Sequence, residues 1–270
     1  MTTITATAPP AQAPRHSSLY WTFSDAMAVT WRNLIGYVRI PEALFFSTLQ
    51  PVMFVLLFRY VFGGAVPIRG TSYVNYLIPG IFVQTVMFGG VGTAIGLADD
   101  AGKGLLERFR SLPMARSAVL AGRALSDLVR NFGVVLMMIF VGYLVGFRVH
   151  TNFVAYLAGV GVLLLFAYTV MWGFATIGMS ASSGETAQLM VFPLLMPLTF
   201  ASGAFVPVQS MPGWLQVFAR NQPLNQVVAA SRALMEGGPT TSPVIKSVLW
   251  SLGLLAVLMP IAVARYRRAA

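Results

Sequence analysis

Lys103 is one of only two lysines in this 270-residue chain, and it follows Gly96 and Gly102 in the glycine-then-lysine order that cradles phosphates in a P-loop. The spacing fails. Five residues separate Gly96 from Gly102 where the loop requires four, and Gly104 stands where a serine or threonine must reach the metal. Gly178-Met179-Ser180 offers the start of a serine-nucleophile motif at the end of an apolar run, but such a serine needs a base within hydrogen-bond reach. The two histidines, His16 and His150, both lie off the apolar runs. Two isolated histidines and eight scattered carboxylates give no metal-ligand spacing, and the absence of cysteine excludes disulfides, thiol catalysis and cysteine-bound metal. Any nucleotide chemistry this chain depends on must therefore sit on another polypeptide.

The elements that carry these residues are set by lipid. Hydrophobic residues make up 57% of the chain and charged residues 10%, with a mean hydropathy of +0.73, against about 25% charged residues in soluble domains. Six continuous apolar runs, at about 43–62, 76–98, 124–147, 153–181, 186–206 and 244–264, approach the roughly 20 residues a helix needs to cross a hydrocarbon core. Backbone groups in lipid must be satisfied internally, and continuous rather than alternating runs select helices over a barrel. The sequence thus predicts an all-α integral membrane protein with six transmembrane helices in one domain over 42–265. The fourth run is longer than a span requires and is expected to tilt or emerge.

Before the first run, residues 1–18 are rich in Thr, Ala and Pro and read as a disordered tail. Phe23, Met27, Trp31, Leu34, Ile35 and Val38 then recur at spacings of three and four, with Asp25, Arg32 and Asn33 off that stripe. This predicts an amphipathic helix over 19–41, lying in the membrane interface; the alternative is an ordinary cytosolic helix. The net charge of +10 would suggest nucleic acid on a soluble surface, but here the arginines lie between apolar runs, where orientation and anionic headgroups account for them. Counting Lys and Arg by side puts 11 with the N-terminus, the 99–123 loop and the C-terminus, 5 on the other face and 2 at span ends. Both termini, including the 266–270 tail, are expected in the cytoplasm. Arginine outnumbers lysine sixteen to two, a codon bias of GC-rich bacteria. That places the chain in a bacterial plasma membrane.

Asp127 and Arg130 are three apart on one helix face, and a structural ion pair is the preferred reading over a proton relay. Gly92-x-x-x-Gly96 and Gly142-x-x-x-Gly146 suit close helix contact. The most charged stretch, Asp99 to Arg123, contains Gly104-Leu105-Leu106-Glu107-Arg108-Phe109-Arg110-Ser-Leu-Pro113. It reads as a short helix stopped by proline, with apolar anchors and a charged rim suited to a groove on a soluble partner; the alternative is a solvated loop. Between the last two runs, Pro207, Pro212 and Pro223 break any single helix, and Trp214, Leu215 and Phe218 share a face.

At these two segments the chain resembles a family. ERFRSLPMARSAVLAGR, after Gly102 and Gly104, is similar to the cytosolic coupling loop of type-2 ATP-binding-cassette permeases, which include daunorubicin-resistance-like drug and lipid exporters. Ser202-Gly203-Ala-Phe205-Val-Pro207, Met211-Pro212-Gly-Trp214-Leu215-Gln216, Asn221-Gln222-Pro223-Leu224 and Arg232-Ala-Leu234 with Gly237-Gly238 resemble that family's succession of motifs between spans five and six. The resemblance implies an exporter permease subunit, not itself an enzyme, that moves an amphipathic or lipid-like substrate or drug outward. It further implies two copies of a cytosolic ATPase that bind ATP and Mg, and a second permease copy or relative. Gly104, Leu105, Leu106, Glu107, Arg108, Phe109, Arg110 and Pro113 would couple to the ATPase. Re-entrant helices bearing Gly203, Phe205, Pro207, Pro212, Trp214 and Pro223 would form an outer gate. Gln84, Met87 and Phe88 on the second span, with Met196, Thr199 and Phe200 on the fifth, would line the substrate path, methionine and aromatic surfaces being adaptable. No cofactor is expected on this chain, and no nucleic-acid partner. The rival readings are an ion-gradient-driven secondary transporter, which would more often carry a carboxylate near the midplane, and a membrane scaffold without transport.

Overall fold

The computed structural model describes residues 19–39, 41–63, 68, 70–104 and 116–269. The 1–18 tail and the coupling residues Leu105, Leu106, Glu107, Arg108, Phe109, Arg110 and Pro113 lie outside them. Every regular element among the described residues is helical: α1 Leu19–Arg39, α2 Pro41–Leu57 continued by a π-helical turn Phe58–Phe62, α3 Tyr73–Gly102, α4 Arg116–Val145, α5 Phe153–Gly178, α6 Gly184–Phe200, α7 Gly213–Asn221, α8 Pro223–Glu236 and α9 Thr241–Ala269. Four stretches are long and apolar enough to cross a membrane: Tyr73–Gly102, Ala121–Val145, Phe153–Gly178 and Thr241–Tyr266. The first and fifth apolar runs also form helix, but shorter: an apolar stretch Thr48–Phe62, and the 17 residues of α6.

The helices overrun or fall short of the apolar runs because caps, not hydropathy, end them. Ser72, Asn152 and Ser183 accept from the backbone N–H groups of Asn75, Ala155 and Thr186, so α3, α5 and α6 each start at an oxygen-bearing N-cap. At its far end α3 closes through Lys103 N–H to Asp99 O (3.0 Å) and Gly104 in the left-handed region at φ +66°. The 186–206 run stops being helix at Phe200, where the chain turns through Ser202 and Gly203.

α3 is the hub, packing against α2, α4, α5, α6 and α8. Its side chains Leu77, Ile78, Ile81, Phe82 and Val83 are fully buried and anchor the main apolar core. Missing Cβ atoms let neighbours approach: a Cβ on Gly178 of α5 would lie 2.4 Å from the Ala94 carbonyl oxygen, and one on Gly90 would lie 2.0 Å from the Phe174 ring. α1 packs on α4 through the face that carries Val29 and Thr30. Val29 and Thr30 are buried, Thr30 Oγ1 donates to Gly122 O at 3.0 Å, and a Cβ on Gly122 would meet Val29 at 2.7 Å. The stripe side chains Met27 (44% exposed) and Trp31 (66% exposed) point away from the bundle.

The two ends of the bundle are distinct. At one, which residues 105–115 leave, the last turn of α3 meets α4 and the start of α6, and Leu97, Ala124 and Tyr266 share a small apolar cluster. α1 and the C-terminal turns of α9 therefore lie at the same end as that loop. At the other, the start of α3, the 147–151 turn and the 201–212 segment come together.

Candidate functional site

Charge is concentrated on the α3–α4 seam toward the loop end. Asp127 is fully buried on α4, and its Oδ1 lies 3.8 Å from Arg130 Nη2. Its Oδ2 accepts from Thr93 Oγ1 at 2.7 Å and lies 3.9 Å from Arg123 Nε. Arg123 also bridges to Asp100 at 2.9 Å, and Asp99 Oδ1 accepts from the Gly184 N–H at 3.0 Å, at the positive end of the α6 dipole. Adjacent carboxylates in the last turn of α3 thus hold α4 on one side and α6 on the other. The expected Asp127–Arg130 pair is present, inside a larger network with two guanidinium groups. The glycines of the α3 motif serve this network: a Cβ on Gly92 would stand 3.0 Å from Arg130, and one on Gly96 2.0 Å from Arg123. They seat arginine side chains where the sequence suggested close helix contact. In the second motif Gly142 does face a helix, at Ile78 Cγ2, while Gly146 at φ +104° ends α4, with the Phe147 N–H returning to Gly142 O at 2.9 Å.

The opposite end is built around the 201–207 turn. A Cβ on Gly80 would lie 2.3 Å from the Ala204 carbonyl oxygen, so the turn rests directly on the α3 backbone. The Gly203 N–H donates to Asn225 Oδ1 at 2.9 Å, and Gly203 O accepts from Tyr76 Oη at 3.0 Å and from Arg232 Nη2 at 2.8 Å. Arg232 Nε donates to Tyr76 O at 3.0 Å, and its guanidinium carbon sits 3.6 Å from the Tyr76 ring centroid. Burial pushes the Arg232 pKa below its usual value, opposed by Tyr76 and Glu236. Phe205 is buried, its carbonyl accepts from Tyr73 Oη at 3.2 Å, and its ring stacks on Phe58 at 4.5 Å and on Phe200 at 5.3 Å. Pro207 leads into a 3-10 turn, Pro212 precedes α7, and Pro223 is the first residue of α8. Trp214, 75% exposed on α7, makes no part of this knot.

Of the residues expected along the path, Gln84, Met87 and Thr199 are buried within the helix packing, Phe88 and Met196 are half-buried, and Phe200 is exposed at the edge of the Phe205 cluster. Gln84 Oε1 and Thr199 Oγ1 have no hydrogen-bond partner. Gly104 terminates α3, and the rest of the coupling segment falls outside the described residues. The structure adds Tyr76, Gly80, Asn225 and Arg232 to the turn. Arg232 stood in the sequence as one member of a motif, and with Arg220 between the same two apolar runs nothing local marked it as the residue that ties the turn.

A model of the ABC-2 type transporter family matches residues 25–235, from α1 through the Arg232 tie. The chain belongs to that family. Across 244 residues it is 35% identical to a daunorubicin resistance ABC transporter permease protein of Streptomyces coeruleorubidus, covering 90% of this chain and 86% of the relative. It is 28% identical over 248 residues to a probable doxorubicin resistance ABC transporter permease protein of Mycobacterium tuberculosis, covering 91% and 89%. A putative transport permease of Cyanophora paradoxa is 25% identical over 224 residues, 80% and 75% of the two chains. This ABC-2 chain is accordingly a membrane permease subunit, and both the α3–α4 charge network and the Gly203 turn lie within the matched region.

Proposed function

We propose that this ABC-2 permease moves an amphipathic or lipid-like substrate or drug outward across a bacterial plasma membrane, driven by two copies of a separate cytosolic ATPase that bind ATP and Mg. The observation that carries the reading is the likeness, over nine-tenths of this chain, to permeases named for daunorubicin and doxorubicin resistance. In this reading α2 with its π turn, α3, α4, α5, α6 and α9 are six spans, α7 and α8 are the re-entrant helices of an outer gate, and α1 lies in the inner interface with Met27 and Trp31 in lipid. The loop end carries both termini and faces the cytoplasm. Its shared location with Lys103, Arg123 and Arg265 supports that orientation.

Coupling runs from Gly104, Leu105, Leu106, Glu107, Arg108, Phe109, Arg110 and Pro113 into the last turn of α3, where Asp100 passes a displacement to α4 and the Asp99 contact to α6 takes it up. A second permease copy or relative completes the path along the α3 and α6 residues Gln84, Met87, Phe88, Met196, Thr199 and Phe200, and Gly203, Phe205, Pro207, Pro212, Trp214 and Pro223 close its exit. Purifying the tagged chain from its host tests the first element: an ATPase subunit should accompany it. In proteoliposomes holding that ATPase, Glu107→Ala and Phe109→Ala should retain ATP hydrolysis and lose transport. Normal transport by both variants would refute the docking role.

A further inference from the structure

α6 alone among the described helices carries two interior prolines, Pro193 and Pro197. Proline has no N–H to donate, and its ring crowds the carbonyl four residues earlier. The carbonyls of Leu189 and Pro193 therefore lose their helical donors, one turn apart. The spacing of four puts Leu189, Pro193 and Pro197 on a single stripe of α6, and Phe200 continues it. That stripe is open: Leu189 is 74% exposed, Phe200 is 45% exposed, and both prolines are exposed. The opposite side of α6, with Ala187, Val191 and Leu195, is fully buried in the main core. The prolines inside α2 and α3, Pro51 and Pro79, are themselves buried, and α9 has a single exposed gap, at Pro260.

Hydrocarbon has no donor to offer a freed carbonyl, so two such gaps on the open side of one apolar helix call for a partner that carries N–H or O–H. Every side chain on the stripe is apolar, and the polar atoms it presents are acceptors. Where the stripe reaches the Gly203 turn, Phe200 stacks on Phe205 at 5.3 Å and the Phe54 ring lies 6.5 Å away. We infer that the Leu189–Phe200 stripe binds an amphipathic ligand whose N–H or O–H groups donate to the Leu189 and Pro193 carbonyls, while its apolar or aromatic body lies along Pro197 and Phe200. A ligand with acceptors alone gains no bond there, an anion meets two carbonyl dipoles that repel it, and a divalent cation finds two neutral oxygens where it takes about six. The stripe thus selects for donors, which acyl chains lack. That it lies on a transport path rests on the exporter reading above; its donor chemistry does not.

The full-length permease, with any ATPase that accompanies it, is titrated without ATP against two fluorescent rhodamine methyl esters of equal charge. One bears unsubstituted amino groups; the other is N-tetramethylated and has no N–H. Affinities are read by fluorescence anisotropy and corrected for partition into protein-free micelles. The N–H ester should bind about tenfold more tightly, the effect of two net hydrogen bonds. Pro193→Ala combined with Pro197→Ala returns an N–H to each gap, favours the helix, and should bring the two esters within about twofold of each other. If the double variant misfolds, the single variants, each closing one gap, are read in the same way. Equal affinities in the wild type, a preference that survives the substitutions, or no saturable binding of either ester overturns the inference. Dissociation of a permease dimer by the double variant with the ester preference unchanged also overturns it, and assigns the carbonyls to a second copy of the chain. Loss of ATP-driven transport with the preference intact would refute the exporter reading and leave the site standing; transport with equal affinities would do the reverse.

Discussion

Replacing Arg232 by methionine removes the tie that joins α8, α3 and the Gly203 turn while keeping an unbranched apolar stem. Two charge-assisted hydrogen bonds are lost, at 2.8 Å to Gly203 O and 3.0 Å to Tyr76 O, together with the stack on the Tyr76 ring at 3.6 Å. At about 2 kcal/mol for each bond and about 1 kcal/mol for the stack, the loss is roughly 5 kcal/mol. Relief of the buried guanidinium's desolvation returns about 2 kcal/mol, so Arg232→Met should cost roughly 3 kcal/mol. The cost is not larger because neither carbonyl is orphaned: Gly203 O keeps Tyr76 Oη, and Tyr76 O lies inside the α3 ladder. Thermal unfolding in detergent should register a fall in Tm of about 6–12 °C at 2–4 °C per kcal/mol. Arg232→Lys should recover less than half, since one ammonium cannot span both carbonyls and stack. A methionine variant that melts within about 2 °C of the wild type would sink the argument, and the turn would have to be held by Gly80 and Phe205 instead.

Asp127→Asn removes the carboxylate that Arg123 and Arg130, 15% and 14% exposed, share, while Arg123 keeps Asp100 and Arg130 keeps the Gly89 carbonyl, and should cost about 1–3 kcal/mol in thermal unfolding. Adding Arg130→Met to that variant should recover part of the loss; strictly additive costs would show that the two are not coupled. Gly96→Leu must expel the Arg123 guanidinium, 2.0 Å from the new Cβ, and should lower Tm through about 1–3 kcal/mol of overpacking, whereas Gly161→Ala, with nothing within 4 Å, should be neutral or slightly stabilising. Burial raises the pKa of Glu236, so the folded protein holds a proton the unfolded chain has released. Stability should therefore fall as pH rises from the ordinary carboxylate value through the folded one. Measured against Glu236→Gln, the wild-type Tm should gain as pH drops from about 7 to about 5, and a constant difference would contradict the assignment.

The apolar runs located the helices because hydrocarbon thickness fixes a length that composition alone can display. They misplaced the ends for a definite reason. Hydropathy stops where charge begins, but α3 starts at Ser72 and continues through Asp99 and Asp100, whose charges are taken up by Arg123 and the Gly184 N–H. A charged residue that finds its partner on a neighbouring helix does not end a helix, and that partner cannot be seen from the residue's own neighbourhood in the chain. The same blindness applies to the Gly203 turn. Its motif was visible as Ser202 to Pro207, yet what fixes it is Arg232, Tyr76 and a glycine at position 80 that looked like any other glycine in a span.

The glycines of α3 show how far a spacing rule carries. Gly92 and Gly96 share a face without Cβ atoms, and the pattern is ordinarily read as a place where another backbone lies close. Spacing identifies the groove but not its filling. Here the filling is Arg130 and Arg123, held in place by a buried Asp127 that no soluble-protein rule would put in so apolar a helix. The grooves allow two long cations to lie along α3 instead of standing off it, which brings them close enough to one carboxylate to neutralise it away from water. An α3–α4 seam locked in this way can change register only by discrete repacking, since a small slide would part Asp127 from Thr93, Arg123 from Asp100 and Arg130 from the Gly89 carbonyl. A push arriving at Gly104 would then move α3 and α4 together and find its compliance elsewhere, at the α3–α6 contact, where Asp99 holds α6 by a single hydrogen bond to the Gly184 N–H. Asp99→Asn, which keeps an acceptor for that N–H but removes the charge from the α6 dipole, should for that reason alter transport more than it alters Tm, while Asp127→Asn should do the reverse; the opposite ranking would place the moving contact at the charged seam.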